Sequence, residues 1–199
     1  RTYHPRAFFL MTQLGKPVPP IVTSIRKKIK KLLDDTDYSL LGAGSKVTGR
    51  DFLNKIWSMI LSVPIGVAIV DKDMKPTAVQ NVFYEIGLMQ AYGKETIVIK
   101  TEGTQVPSDF VRTEYIEYSE HDRLFSREFR KFIKNCEERA DHYALMAEEL
   151  VNNPILAFDY YRRAYLIPGE KDYIDHAEKL LSGKKGVAVC NQCPSVERS

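Results

Sequence analysis

The strongest candidate for a catalytic group in this sequence is a glutamate near the middle of the chain. Hydrophobic spacing predicts a helix from Asn81 to Tyr92, in which Glu85 and Asn81 lie one turn apart on the same face. Val82 and Ile86 occupy the opposite face, which we expect to be buried. The pattern therefore places one carboxylate and one amide together on the side of the helix that can contact a ligand.

The chemistry expected of Glu85 depends on its charge. A helix that begins at Asn81 places Glu85 near the positive end of the helix dipole, which favours the ionised form at pH 7. An ionised carboxylate at the mouth of a pocket suits a nucleophile, or a group that stabilises developing positive charge, better than a proton donor. Gly87 has no side chain and is expected to let this helix approach the sheet closely. The alternative is that Glu85 is a surface residue, placed in the first helical turn for its charge alone.

Short apolar runs that end in polar turns predict five β-strands alternating with helices. The clearest run, Ile65 to Val70, is apolar throughout, as expected of a parallel strand that is covered on both faces. Alternating strands and helices require right-handed crossovers, and about five strands favour a flavodoxin-like, doubly wound α/β sheet. The predicted strands cover residues 7–11, 38–41, 65–70, 96–99 and 115–118, with helices at about 23–33, 50–61 and 81–92.

Polar residues just after each strand are candidates for substrate binding, because ligands of such sheets bind outside the carboxyl ends of the strands. Thr12 and Gln13 follow the first strand and could bond a ribose or a phosphate, although loop residues are often merely solvated. The full set of binding candidates is Thr12, Gln13, Ser45, Arg50, Asp71 and Asp73, together with Asn81 and Tyr84 on the helix of Glu85.

The other candidates suit different parts of a nucleotide. Arg50 could clamp a phosphate after the second strand. Asp71 and Asp73 could bond ribose hydroxyls, as acidic residues at strand ends do in dinucleotide sites, although turn formation explains them almost as well. Tyr84 could stack on a base.

From residue 124 onward the sequence is helical, with helices predicted over residues 127–140, 141–152, 155–165 and 171–182. Part of this stretch resembles one tetratricopeptide-type hairpin, but a single repeat cannot bury its own apolar face. We therefore predict an α/β domain over residues 1–123 and a helical appendage over 124–183, packed on the sheet or on a partner. Residues 184–199, which contain Cys190 and Cys193, are predicted to form a flexible tail.

The composition argues against several classes of protein. Of the 199 residues, 44% are hydrophobic and 28% are charged, as in globular proteins rather than disordered ones. No apolar run approaches the ~20 residues that cross a bilayer. The histidines and cysteines show no metal-ligand or disulfide spacing, so we predict no metal, no cofactor and a cytoplasmic location.

The net charge of +3 is mild, and the basic residues from Arg26 to Lys31 form the one obvious cationic cluster. On a helix these cations alternate with apolar residues that take the buried face. We interpret the cluster as a solvated outer face, because no aromatic stacking residues are interleaved with it, and a nucleic-acid partner is not expected.

The segment from Gln80 to Ile99 resembles the Asn-Val-x-x-Glu-x-Gly…Gly-Lys segment of bacterial TIR-like nucleotide-binding domains. It is also similar to the Glu-x-Gly-x-Ala…Gly-Lys segment of nucleoside 2-deoxyribosyltransferases. In both families an acidic loop follows the preceding strand, as Asp71 and Asp73 do here. The resemblance covers about residues 7–118. The stretch ahead of the glutamate lacks the Gly-Thr step that is usual in the transferases, which favours the TIR-like family.

This resemblance implies a glutamate, Glu85 here, that acts at the bond between a ribose carbon and a base nitrogen. In the TIR-like group the substrate is typically NAD+, often in antiphage defence, and in the transferases it is a nucleoside or nucleotide. The first expectation is therefore an N-glycosidase for which NAD+ or a related nucleotide is the substrate, acting as a homo-oligomer or as part of a longer protein. The alternatives are a non-catalytic nucleotide sensor, a nucleoside deoxyribosyltransferase, and a protein-interaction module with a degenerate pocket.

Overall fold

The structure is a computed structural model that describes residues 3–42, 50–107, 114–119, 124–150 and 152–183. Strands and helices alternate through the first half of the chain, and a helical segment follows the last strand. Within the described ranges, no helix is both long enough and apolar enough to cross a membrane.

Five parallel strands form a single sheet. The strands are β1 (Ala7–Met11), β2 (Ser39–Gly42), β3 (Ile65–Val70), β4 (Glu95–Thr101) and β5 (Glu114–Tyr118). Their order across the sheet is β2-β1-β3-β4-β5, and every neighbouring pair is parallel. This order confirms the flavodoxin-like α/β arrangement. Both β1 and β3 are buried at every position, which explains their continuous apolar sequences.

Six helices accompany the sheet in the described residues. They are α1 (Pro20–Asp34), α2 (Arg50–Ser62), α3 (Pro76–Ala91), α4 (Leu124–Glu149), α5 (Pro154–Leu166) and α6 (Lys171–Gly183). In α1, the apolar residues Ile25, Ile29 and Leu33 are buried in the main core, while Arg26 and Lys30 face solvent. The predicted amphipathic character of this helix is therefore confirmed.

The third helix begins earlier than its sequence pattern predicts. It starts at Pro76, five residues before the predicted start at Asn81, and proline fits a first helical turn because it has no N–H to satisfy there. The helix ends where Gly93 adopts a left-handed conformation with φ 64°, and the Gly93 N–H donates to the Gln90 carbonyl. Glu85 consequently lies in the third turn of α3 rather than in the first.

The two helices predicted over residues 127–140 and 141–152 form one continuous helix, α4. Its first half packs into the same core as the sheet through Phe125, Phe129 and Phe132. The predicted boundary after residue 123 therefore falls at the start of α4, but it does not separate two cores.

The helical segment is attached to the sheet at the amino ends of the strands. Glu95, the first residue of β4, is buried, accepts a hydrogen bond of 2.7 Å from the Tyr143 hydroxyl and pairs with Arg139. Just before β1, Arg6 donates to the Pro168 carbonyl at 2.9 Å. These contacts leave the carboxyl ends of the strands, on the opposite side, uncovered by α5 and α6.

The position of Phe129 gives a test of this packing. Its fully buried ring lies 5.8 Å from the ring of Phe8 and 5.9 Å from that of Phe125, measured between centroids. Replacement of Phe129 by Ala should lower the free energy of unfolding by about 3–5 kcal/mol, measured by chemical denaturation. Leu145→Ala, at an exposed site in the same helix, is the control and should change it by less than about 0.5 kcal/mol. Equal effects of the two substitutions would contradict this packing.

Candidate functional site

A cavity of about 400 Å³ opens at the carboxyl end of β1, between the loop that follows this strand, α2 and α3. This is where ligands bind in open α/β sheets, and the volume lies within the range of small-molecule pockets. Thr12 and Gln13 contribute from the loop, and Leu53 and Ile56 contribute from α2. One long face of α3 forms the remaining wall.

Glu85 lines this cavity and is half-buried there. Desolvation by burial raises the pKa of the Glu85 carboxyl from 4.5 to about 7. The prediction that the helix dipole keeps Glu85 ionised at pH 7 is therefore wrong. The helix dipole does not keep it ionised, because the effect fades beyond the first turn and Glu85 lies two turns further along. With a pKa near 7, the carboxyl can change between its ionised and protonated forms near neutral pH, so the group can both accept and donate a proton.

The glycine that permits close packing of α3 is not the predicted one. A Cβ at Gly87 would have nothing within 4 Å, so the absence of a side chain there does not bring the helix to the sheet. At Gly66 in β3, a Cβ would lie 2.8 Å from Cε of Met11 and 2.9 Å from Cε of Met89. Gly66 therefore makes room for Met89, a buried residue of α3.

A row of polar residues extends along α3 from its first turn to Glu85. Thr77, Asn81 and Glu85 are spaced four residues apart and all line the cavity. At 1.5 Å per residue, this row spans about 12 Å along the helix axis. Tyr84 also lines the cavity and is 54% exposed, so its ring is available to a ligand. Asn81 and Tyr84 thus lie where the sequence predicts, beside Glu85.

Thr12 lines the cavity and has an unsatisfied hydroxyl. Its Oγ1 atom is buried, and among the described residues it has no hydrogen-bond partner. Buried polar atoms nearly always have a partner, so an unsatisfied one in a cavity wall suits an atom that interacts with a bound ligand or with water. The predicted binding role of Thr12 is compatible with this position.

Gln13 binds the protein itself. Its Nε2 donates to the carbonyls of Gly15 and Pro17, and its Oε1 accepts a 2.9 Å hydrogen bond from the backbone N–H of Lys75. Both donors and the amide oxygen are therefore engaged. Gln13 therefore connects the loop after β1 to the start of α3. It also lines the cavity, and its contact with a ribose or phosphate stays a prediction.

Asp71 and Asp73 do not line the cavity. Asp71 is buried, and its two carboxylate oxygens accept hydrogen bonds from the Asp73 N–H, at 3.0 Å, and from the Thr101 hydroxyl. Thr101 also bonds Thr104 at 2.9 Å. The expectation that these aspartates bond ribose hydroxyls beside Glu85 is thus corrected. Asp71 stabilises the turn after β3 through the Asp73 N–H and connects this turn to the end of β4 through the Thr101 hydroxyl.

Two predicted residues cannot be placed in the site. Ser45 lies outside the described residues. Arg50 is the first residue of α2, and only its backbone is described.

The structure adds residues that were not among the sequence candidates. Lys75 lines the cavity at the start of α3, and its Nζ donates to the Lys16 carbonyl at 2.9 Å. Leu14 and Leu53 form an apolar part of the rim and are exposed. The Lys-Pro-Thr sequence at residues 75–77 is a recognisable helix start. It could have placed Lys75 at the beginning of the helix that follows β3, and therefore near the carboxyl end of the sheet. Nothing in the sequence distinguishes the exposed leucines from ordinary surface residues.

The chain was compared with known protein families, with curated proteins and with solved structures. No known protein family matches the chain, and no curated protein matches it. A solved structure of a 2-deoxyribosyltransferase from the psychrotolerant bacterium Bacillus psychrosaccharolyticus is similar over 60% of this chain and 95% of its own, with 12% identity and a TM-score of 0.44.

Among the described residues, no group of three or more His, Cys, Asp or Glu side chains is placed to hold a metal ion.

The raised pKa of Glu85 predicts a pH-dependent effect on stability. A carboxyl with a higher pKa in the folded state makes the folded protein less stable as the pH rises from about 4.5 to about 7. Glu85→Gln removes this loss. Relative to wild type, the variant should therefore gain stability between about pH 5 and about pH 8, by up to about 3 kcal/mol and less where water reaches the carboxyl.

The measurement is urea denaturation at several pH values. Glu102→Gln, which alters an exposed glutamate in the turn after β4, is the matched control. A stability difference between Glu85→Gln and wild type that stays constant with pH would contradict the desolvation of this carboxyl.

Proposed function

We propose that this protein cleaves the N-glycosidic bond between the sugar and the base of a nucleotide, with Glu85 as the catalytic carboxyl. The observation that supports this most is a desolvated glutamate, with a pKa of about 7, in the wall of a ligand-sized cavity at the carboxyl end of the sheet. Perturbed titratable groups in clefts are concentrated at functional sites.

The chemistry follows from the two protonation states of Glu85. When the C1′–N bond breaks, its electron pair leaves with the base, and the sugar becomes positively charged at C1′. The ionised carboxylate stabilises this charge or forms a bond to C1′ through an oxygen. Water, or a second base, then bonds to C1′ while any bond between C1′ and the carboxylate oxygen breaks, and the carboxylate takes up the proton that an attacking water loses. The protonated form of Glu85 could instead donate a proton to a departing base.

Glu85 is the one carboxyl among the described residues that line the cavity. A leaving base that needs no proton therefore suits the site well. The nicotinamide of NAD+ is such a base, because its ring nitrogen is positively charged before the bond breaks. For this reason NAD+ is the first substrate to test, and 2′-deoxynucleotides and nucleosides complete the set.

The row along α3 supports a phosphorylated substrate. With C1′ beside Glu85, the sugar lies near Asn81, and the 5′-phosphate extends toward Thr77 and Lys75 at the start of the helix. A helix N-terminus favours anions, and the ammonium of Lys75 retains donors beyond its bond to the Lys16 carbonyl. Tyr84, exposed beside Glu85, offers a face on which the base can stack.

The catalytic role of Glu85 is tested with purified protein and a panel of NAD+, 2′-deoxynucleotides and nucleosides, with free base quantified by chromatography. Glu85→Gln should reduce base release by at least ~10²-fold, because a group that acts on the reacting atoms is lost. Glu102→Gln should retain wild-type rates. Base release by Glu85→Gln at the wild-type rate would refute the catalytic role, and a ligand-induced thermal shift without base release by the wild type would indicate a sensor.

The role of Lys75 predicts a difference between nucleotides and nucleosides. Lys75→Met should raise KM for a nucleotide about tenfold, which corresponds to one charge-assisted hydrogen bond at an exposed site, and should leave KM for the matching nucleoside unchanged. Lys72→Met, an exposed lysine of the same turn that does not line the cavity, is the control. Steady-state kinetics with both substrates measures the effect. Equal changes for nucleotide and nucleoside would show that Lys75 does not bind the phosphate.

A further inference from the structure

We propose that the outer edge of β2 and the basic face of α1 together bind an acidic segment of a partner protein in an extended conformation. A groove of about 720 Å³ lies between this strand and this helix. It shares no lining residue with the cavity of Glu85, so this proposal is independent of the proposed catalytic function.

The first observation is an open strand edge. β2 lies at the end of the sheet and is hydrogen-bonded to β1. The Ser39 N–H points toward β1, because it donates to the Arg6 carbonyl at 2.8 Å. Successive peptide groups of a strand point to opposite sides, so the N–H groups of Leu40 and Gly42 point outward. Among the described residues, no further strand pairs with this edge.

The edge strand, although only four residues long, contains none of the residues that most often discourage pairing with another chain. Natural edge strands often contain lysine, proline or a bulge, which discourage pairing. The sequence of β2 is Ser-Leu-Leu-Gly, and Leu40 and Leu41 are each half-buried. An added strand would therefore meet unpaired backbone groups and apolar side chains at the same place.

The second observation is the charge of the groove. Arg26, Lys27 and Lys30 project from the exposed side of α1 and line it, and Asp34 is the acidic residue among the lining residues. Among the ion pairs of the described residues, none involves these three cations. An acidic segment in the groove would neutralise them, with an attraction that weakens as salt increases.

The two observations together favour a peptide over a nucleic acid. A strand added to β2 offers N–H and C=O groups along its length, which the phosphate backbone of a nucleic acid does not. Leu10 and Leu33 give the groove an apolar floor, and its one aromatic side chain, Tyr38, is buried and unavailable for base stacking. A segment in which acidic residues alternate with apolar ones matches both features.

The test measures the binding of fluorescein-labelled peptides to the whole chain by fluorescence anisotropy. The probe is a ten-residue peptide of alternating Glu and Val. Charge reversal in R26E/K27E/K30E should weaken its binding at least ~10-fold. The triple variant R130E/K131E/K134E is the matched control, because it reverses the same residue types at the same spacing on the exposed face of α4. Equal effects of the two variants, or no binding by the wild type, would overturn the proposal.

A second measurement isolates the backbone pairing. Two further peptides are N-methylated either at every Glu or at every Val, which removes N–H donors on one side of the strand without changing charge. One of these peptides should bind at least ~10-fold more weakly than the other, because only one side of the added strand faces β2. Indistinguishable binding of the two would overturn strand addition.

The same groove could instead hold a polyanion or a second copy of the chain, and both are outcomes of the test. A labelled ten-residue oligo-dT that binds as tightly as the peptide, and is lost in R26E/K27E/K30E, would show a polyanion site and overturn the proposal. A dimer, seen by sedimentation, that this variant dissociates would assign the edge to self-association and overturn it as well.

Discussion

The candidate site depends on how α3 lies on the sheet. Val82, Ile86 and Met89 are buried in the main core, and this fixes the rotation of the helix. Because side chains four residues apart share a face, the same rotation directs Asn81 and Glu85 into the cavity. If the buried positions moved by one residue along α3, the helix would rotate by about 100° and Asn81 and Glu85 would turn away from the loop after β1. The burial of apolar side chains therefore sets the position of the catalytic candidate.

The polar residues at this edge of the sheet have two different tasks. Gln13 and Asp71 satisfy backbone and hydroxyl groups of the protein and hold the loops on either side of the cavity in place. Glu85 and Thr12 both line the cavity. Burial desolvates the Glu85 carboxyl, and the buried Thr12 hydroxyl has no hydrogen-bond partner among the described residues. Such groups cost stability, and proteins concentrate them at sites that act on ligands. Gln13 and Asp71 therefore have structural roles, and Glu85 and Thr12 are the first candidates for substrate contact.

Hydrophobic periodicity could predict the strands and the placement of Glu85 beside Asn81 and Tyr84. The order of the strands could be predicted from their number and from right-handed crossovers. Sequence patterns failed at one local feature, the start of α3, and otherwise where tertiary contacts decide. The start of α3 at Pro76 moved Glu85 away from the helix dipole, and its burial then determined the protonation state. One of the two donors to Asp71, the Thr101 hydroxyl, comes from β4 and could not be inferred from the turn alone. The two helices predicted over residues 127–140 and 141–152 form the single helix α4, whose first half packs into the core of the sheet.

The central claim is that the carboxyl of Glu85 is desolvated in a cavity that binds the substrate. The most direct measurement is a pH titration of this carboxyl by ¹³C NMR, with selectively labelled glutamate and Glu85→Gln for assignment. We expect a midpoint near 7 in the free protein, as burial dictates, and a change of midpoint when NAD+ or another bound nucleotide is present. A midpoint near the ordinary glutamate value of about 4.3, unchanged by every nucleotide tested, would contradict the account.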